Sequence, residues 1–516
     1  MPLLRRTLLA GAGFLAARGA CAQSSAASDG ILTLLLAGEP VGFVPGMGDP
    51  NADIAGSKIF QGLLRFSPAF EPLPELARSW TVSSDGRTTI FKLRRGVTWH
   101  DGQPFTADDV LFSVMERPGQ LPATARAVIE HIKAAAAPDP ETVLFTLDAP
   151  FEPFLLVFEV TQCPIVPAHL FRGPAGAPAD PPVGTGPFRL PAWRPGQSVR
   201  LIRHEHYWRP ALPLLAAIAF KSIPDHVARL QTLAEAGPVM ASGAGLAPRE
   251  LAPLRESPEL VLATHGWEFT APLTSLVLNH RVPPLGDIRV RRAISLATDR
   301  DYILRRIWSG FGKPASGPVA SVSPLYDRSL PALPYDPRKA AALLGEAGLR
   351  PNGQGIRLTL HHLVQAGDET ALALAQYLQA ALRQIGMLLV LESVGAEAWA
   401  ARLLAREFES AAVTQDQSGD PSIGLEPVYV RQGPANLAGY QNDQVDQLLA
   451  RARSISERNM RKAMWAEAQR ILVAEVAQVW LIEVQSPSVM GRNVRFGTAL
   501  ATGMGGSFDD LTLAEP

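Results

Sequence analysis

Two hydrophobic periods alternate along the chain. Residues 79–83 and 88–93 are short runs rich in β-branched and aromatic residues, and Ser84-Asp85-Gly86 between them is turn chemistry, so the stretch predicts a hairpin. A second turn follows at Asp101-Gly102. Thr106 then starts a helix as its N-cap, Asp109 three residues on completes a capping box, Val110, Leu111, Val114 and Met115 make an apolar stripe, and Pro118-Gly119 stops it. Further strands are predicted over 31–37, 142–147 and 214–220, with a buried apolar run over 151–160.

The second half reads as strands alternating with helices. Asp287 caps a helix carrying Val290, Ile294 and Ala297 at helical spacing, Thr298 or Asp299 caps the next, and Asp336-Pro337 opens a third. Then come a strand over 357–363, a helix over 369–385 closed by Gly386, a strand over 387–394, helices over 396–406, 443–453 and 457–475, and a strand over 479–484. That order predicts an α/β unit.

A chain of 516 residues predicts two or three domains. A net charge of −1 argues against broad electrostatic binding of nucleic acid or anionic lipid. Arg5-Arg6, an apolar run over 8–17 and Ala20-Cys21-Ala22 predict an export signal over 1–22, cleaved after Ala22. That run is shorter than the ~20 residues a spanning helix needs, and no other stretch approaches that length, so the mature protein is expected to be soluble in the periplasm. Arg5-Arg6-Thr7-Leu8-Leu9 fits twin-arginine export, and an ordinary secretory signal remains open. Arg18 stands where a lipobox wants an aliphatic residue before Cys21, which leaves lipidation open. With Cys21 removed, Cys163 is alone and no internal disulfide can form.

The motifs of catalysis are absent: no G-x-S-x-G, H-E-x-x-H or G-x-x-x-x-G-K-[ST] occurs. His100-Asp101 reads as part of a turn. His361 and His362 point to opposite faces of a strand and cannot chelate one metal together. His204 and His206 could share a face, with Glu205 between them on the other, and no metal site is expected there. The expectation is no catalytic residue, no metal and no cofactor.

Residues 72–114 resemble one family closely. Pro74, Leu76-Ala77, Ser79-Trp80, Ser83, Asp85-Gly86, Phe91, Leu93-Arg94, Gly96-Val97, Trp99-His100-Asp101-Gly102, Thr106-Ala107 and Asp109-Val110 follow the pattern of the extracellular solute-binding proteins of family 5, the peptide and nickel binders of ABC importers. Gly184-Thr185-Gly186-Pro187-Phe188 is similar to that family's GTGPF/Y, where glycines permit a tight turn; Pro187 argues against a phosphate loop. Tyr207-Trp208 follows the pattern too, with His204 where asparagine is usual. Met240 replaces an acid usual in the family, and Leu285 a phenylalanine.

The resemblance implies an α/β, two-lobed periplasmic-binding-protein fold of type II with an extra subdomain inserted in the first lobe. The first lobe is expected from 30–65, 184–275 and 486–516, the insert from 66–183 and the second lobe from 276–485. Residues 414–421 resemble the family's W-x-x-D-x-x-DP loop, without its tryptophan and one residue longer. Asp416 is the candidate to pair with a ligand's α-amino group, or else a solvated loop acid; Asp420 is a second candidate, or the structural acid of the Asp-Pro turn. Trp267 is expected as an apolar platform or a core residue. Arg431 and Tyr440 are candidates for a ligand carboxylate or backbone, or surface positions.

The function implied is that of the substrate-binding protein of an ABC importer: a monomer, not an enzyme, that takes a short peptide or similar solute to a permease and ATPase in the inner membrane. The same fold with a nickel chelate, a sugar or an opine stays open, as does a sensory module without transport.

Overall fold

The computed structural model describes residues 30–172, 181–194, 196, 198–235, 237–243, 246–263 and 265–514. The predicted export signal and Cys21 lie outside the described residues.

Three sheets organise the chain. The first has seven strands, in the order Leu260–Leu262, Val489–Gly491, Val239–Ala241, Ile31–Leu36, Ala217–Ser222, Val199–Arg203 and Phe188–Arg189. Its central strand, Ile31–Leu36, runs parallel to both neighbours. That strand is almost wholly apolar because both its faces are covered: Leu32, Leu34 and Leu36 enter one core and Leu35 another. The second sheet has six strands, in the order Gly312–Pro314, Val479–Val484, Leu273–Leu278, Ser410–Gln415, Leu358–Gln365 and Met387–Val394. Helices Ile288–Leu296, Pro337–Glu346 and Glu369–Arg383 pack their apolar stripes on it.

The third sheet is four-stranded and antiparallel, Ala77–Val82, Thr88–Leu93, Thr142–Leu147 and Ile132–Asp139 in spatial order. The predicted hairpin is its first pair, with Gly86 at φ 68° in the turn. Its inner face meets Phe154 and Phe158 of the predicted buried run; Phe91 and Phe158 stand 4.8 Å apart, edge to face.

The helix after Asp101-Gly102 starts as expected, the Asp109 carboxylate accepting the Thr106 N–H at 2.9 Å. Its stripe does not hold its phase. After Ala107–Leu111 the backbone widens into a π turn over Phe112–Glu116, which rotates the next residues. Phe112 and Ser113 are buried, and the predicted stripe residue Met115 is exposed.

The family-like motifs prove to be scaffold. His100 donates from Nε2 to the Gly186 carbonyl at 3.0 Å and accepts the Gly184 N–H at Nδ1 at 3.3 Å. Burial pushes its pKa down to about 3, so the ring stays neutral and can do both. The glycines of 184–186 are required for a reason other than the expected turn. Neither takes a positive φ, but the backbone of Ile59 lies against both and that of Lys58 against Gly186, and a Cβ on Gly184 would stand 1.9 Å from the Ile59 carbonyl oxygen. Gly184→Ala is therefore expected to cost about 1–3 kcal/mol in urea unfolding, because the methyl must push apart segments that pack backbone against backbone.

A buried ionic cluster ties distant segments of the first lobe together. Arg209 bonds Glu75 at 2.8 Å and Asp509 at 2.7 Å, Arg65 joins Glu75 at 3.2 Å, and the Tyr207 hydroxyl donates to Asp509. Arg94 and Arg209 both lie over the Trp208 ring. Met240, in place of the family's acid, is fully buried in the central sheet. Cys163 is buried with its thiol pushed up to about 12, a core residue rather than a nucleophile.

The chain passes from the seven-stranded to the six-stranded sheet between residues 262 and 273, and returns between 484 and 489. The two crossings lie side by side: the Val484 N–H donates to the Pro272 carbonyl at 2.8 Å, and Ala263 N–H to the Ser488 carbonyl at 2.8 Å.

Candidate functional site

A groove of about 1450 Å³ opens between the two large sheets at these crossings. Its walls come from both lobes: Asp53, Thr161 and Glu250 on one side, Asp368, Thr414 and Asp416 on the other, with Trp267 and Gln485 at the crossing.

Asp416 follows the last residue of strand Ser410–Gln415. Its loop is held by two backbone bonds to the first crossing, Gln417 N–H to Thr270 O and Gly419 N–H to Phe269 O, both 2.6 Å. Ser418 and Gly419 take φ values of 50° and 77°, a left-handed pair that turns the loop back on itself. This sets Asp416 and Trp267 on adjacent segments of the wall. The Asp416 carboxylate meets the solvent of the groove and accepts no hydrogen bond from any described residue, while the surrounding protein raises its pKa to about 6 by desolvation.

Asp420, Arg431 and Tyr440 are not brought to the groove. Asp420 is the N-cap of Pro421–Gly424, accepting the Ser422 N–H at 2.8 Å, and Arg461 takes both its oxygens at 2.6 and 2.9 Å. This is the structural alternative for that acid. Arg431 pairs with Asp443 and donates its backbone N–H to Asp446, which ties it to the start of helix Asp443–Ser454. Tyr440 is buried and donates its hydroxyl to Glu475 at 2.6 Å. Both follow the acid loop in sequence but serve the packing of the second lobe.

The groove contains residues that sequence periodicity does not single out. Asp53 accepts the Gly46 N–H at 2.7 Å, and burial raises its pKa. Glu250 accepts the Ala247 N–H at 2.7 Å and faces His226 at 3.3 Å. The sequence signal was its place three residues into a helix begun by Pro248, which marks a capping residue and not a ligand. Asp368 caps helix Glu369–Arg383, and Glu369 pairs across the lobes with Arg249. Trp308 also lines the groove.

No group of three or more metal-ligating side chains occurs among the described residues. His361 is exposed beside Glu392 while His362 is fully buried, as opposite strand faces require. His204 is buried and its Nδ1 lies 3.3 Å from the Gly186 carbonyl. No helix among the described residues is long and apolar enough to cross a membrane.

Comparison with known proteins gives a consistent picture. Residues 71–434 match the family described as bacterial extracellular solute-binding proteins, family 5. The chain is 30% identical to Protein XP55 of Streptomyces lividans, over 83% of this chain and 79% of that one. It is 28% identical to the glutathione-binding protein GsiB of Shigella dysenteriae, over 90% and 91%. Its structure is similar to the periplasmic binding protein DppA of Helicobacter pylori in complex with the peptide STSA, at 25% identity and a TM-score of 0.76, over 94% of this chain and 98% of that chain.

Proposed function

The chain belongs to the bacterial extracellular solute-binding proteins of family 5, and we propose that it captures a short peptide or similar amino-bearing solute between its lobes and delivers it to an ABC permease. The observation that carries this reading is Asp416: a carboxylate on the groove wall, with no hydrogen-bonding partner among the described residues and a pKa raised to about 6. A ligand ammonium supplies the missing partner, and the charge-assisted bond strengthens as closure excludes water. Trp267, on the neighbouring segment, offers a flat apolar surface to the rest of the solute.

The work cycle is a shift between open and closed populations and makes or breaks no covalent bond. Ligand that touches both walls binds the closed form better, and only that difference drives closure. ATP hydrolysis belongs to a separate subunit of the importer, and the exported chain acts as a periplasmic monomer.

Native mass spectrometry of the protein purified from its periplasm tests this. The expected result is a retained amine-bearing solute of unaltered mass, lost on denaturation. Turnover of a peptide by the purified chain alone would overturn the reading.

A further inference from the structure

We propose that the solute is a cation, a basic peptide or peptide-like amine of net positive charge whose binding needs no anchored carboxylate. The inference rests on the reading of the groove as the solute site and concerns which solute it admits. Five acids line the groove, Asp53, Glu250, Asp368, Glu369 and Asp416, against one histidine, His226, and no lysine or arginine among the described lining residues. Arg249, next in sequence to the lining residue Glu250, is paired with Glu369.

Arg249 offsets Glu369 and His226 stands beside Glu250; the other bonds these acids make bring no counter-charge. Asp53, Glu250 and Asp368 each accept a backbone N–H, which orients the carboxylate without supplying a cation. A free carboxylate entering this space loses water and, with Arg249 taken up by Glu369, meets an excess of like charge. Glutathione carries two carboxylates and one ammonium at neutral pH, a net anion that this groove does not favour.

The placement of the acids also suits closure. Asp53 and Glu250 stand on the first lobe and Asp368, Glu369 and Asp416 on the second. Apart from the Arg249–Glu369 pair that joins the lobes, the charges on the two walls are alike and oppose their approach. A cation with charges towards both walls replaces that repulsion with attraction, so it favours the closed form where a neutral solute of equal size does not. Trp267 and Trp308 add aromatic surface that accepts a cation.

Calorimetric titration of the mature full-length chain with four peptides tests this: Ala-Lys-Lys-Ala and Ala-Glu-Glu-Ala, each with a free and an amidated C-terminus. The lysine peptides are expected to bind at least tenfold tighter than the glutamate peptides. Amidation should not weaken them by more than twofold, and Asp53→Asn should narrow the lysine preference. Equal or tighter binding of the glutamate peptides, or a tenfold loss on amidation, would overturn the inference while leaving a peptide receptor in place. If none of the four binds, the solute retained in the native spectrum decides: a cation supports the inference and an anion overturns it. No peptide binding and no retained solute would sink the receptor reading and this inference with it.

Discussion

Arg461→Ala is expected to cost about 3–5 kcal/mol of stability, read as a fall in the urea midpoint. Arg461 is almost fully buried, yet it projects from a helix whose sequence pattern looks like a solvated face. It bonds both oxygens of Asp420, the hydroxyl of Ser422 and, at 2.8 Å, Glu152 of the subdomain. Removing the guanidinium strands Asp420 in a buried site without its counter-charge, and that cost exceeds what the pair contributes when intact. The double variant Arg461→Met with Asp420→Asn should recover much of the loss, because it removes both charges. Asp420→Asn alone should lower the urea midpoint while leaving ligand affinity within twofold. A tenfold loss of affinity without a change in stability would return Asp420 to the ligand site.

Asp416→Asn is expected to weaken binding of an amine-bearing peptide by about 10–100-fold while the urea midpoint holds, since the side chain supports nothing in the unliganded protein. The pH dependence has a definite sign. The carboxyl titrates near 6, raised by desolvation, and a ligand ammonium favours its ionised form. Affinity should therefore be greatest and flat above about pH 6, then fall by up to tenfold per pH unit below it as binding has to displace a proton. Titrations between pH 5 and 8 check this, and the asparagine variant should lose that dependence. An unchanged dissociation constant in Asp416→Asn would remove the residue from the site.

Much of the architecture could be read from the chain because its signals are local. Turn chemistry at Asp85-Gly86, the capping box at Thr106 and Asp109, and the acid caps at Asp287, Asp299 and Asp336 all sit where the elements begin and end. The strands over 387–394 and 479–484 coincide with the observed bounds. The family-like words mark the fold because they bind the scaffold together, as His100 does for Gly184 and Gly186; for the same reason they say little of the ligand.

What escaped the sequence depends on distance along the chain. Arg431 and Tyr440 stood near the acid loop in sequence, but their partners lie on the helices after it. Asp53 and Glu250 carry no periodic mark, and only folding brings them opposite Asp416. Burial of Arg461 follows from partners 41 and 309 residues away, which a helical wheel cannot show. Met115 fell on the wrong face because one wide turn broke the 3.6-residue period.

The two chain crossings, bonded to one another through Val484 and Pro272, act as the pin of a pair of tongs. Whatever sits near a pin travels little however far the tips swing. Asp416 and Trp267 stand beside it, tethered by the bonds of Gln417 and Gly419 to Thr270 and Phe269. If they hold the solute as proposed, they can greet it while the tongs still gape. On that proposal, prising apart the tips, where leverage is greatest, loosens the far contacts first and the grip beside the pin last.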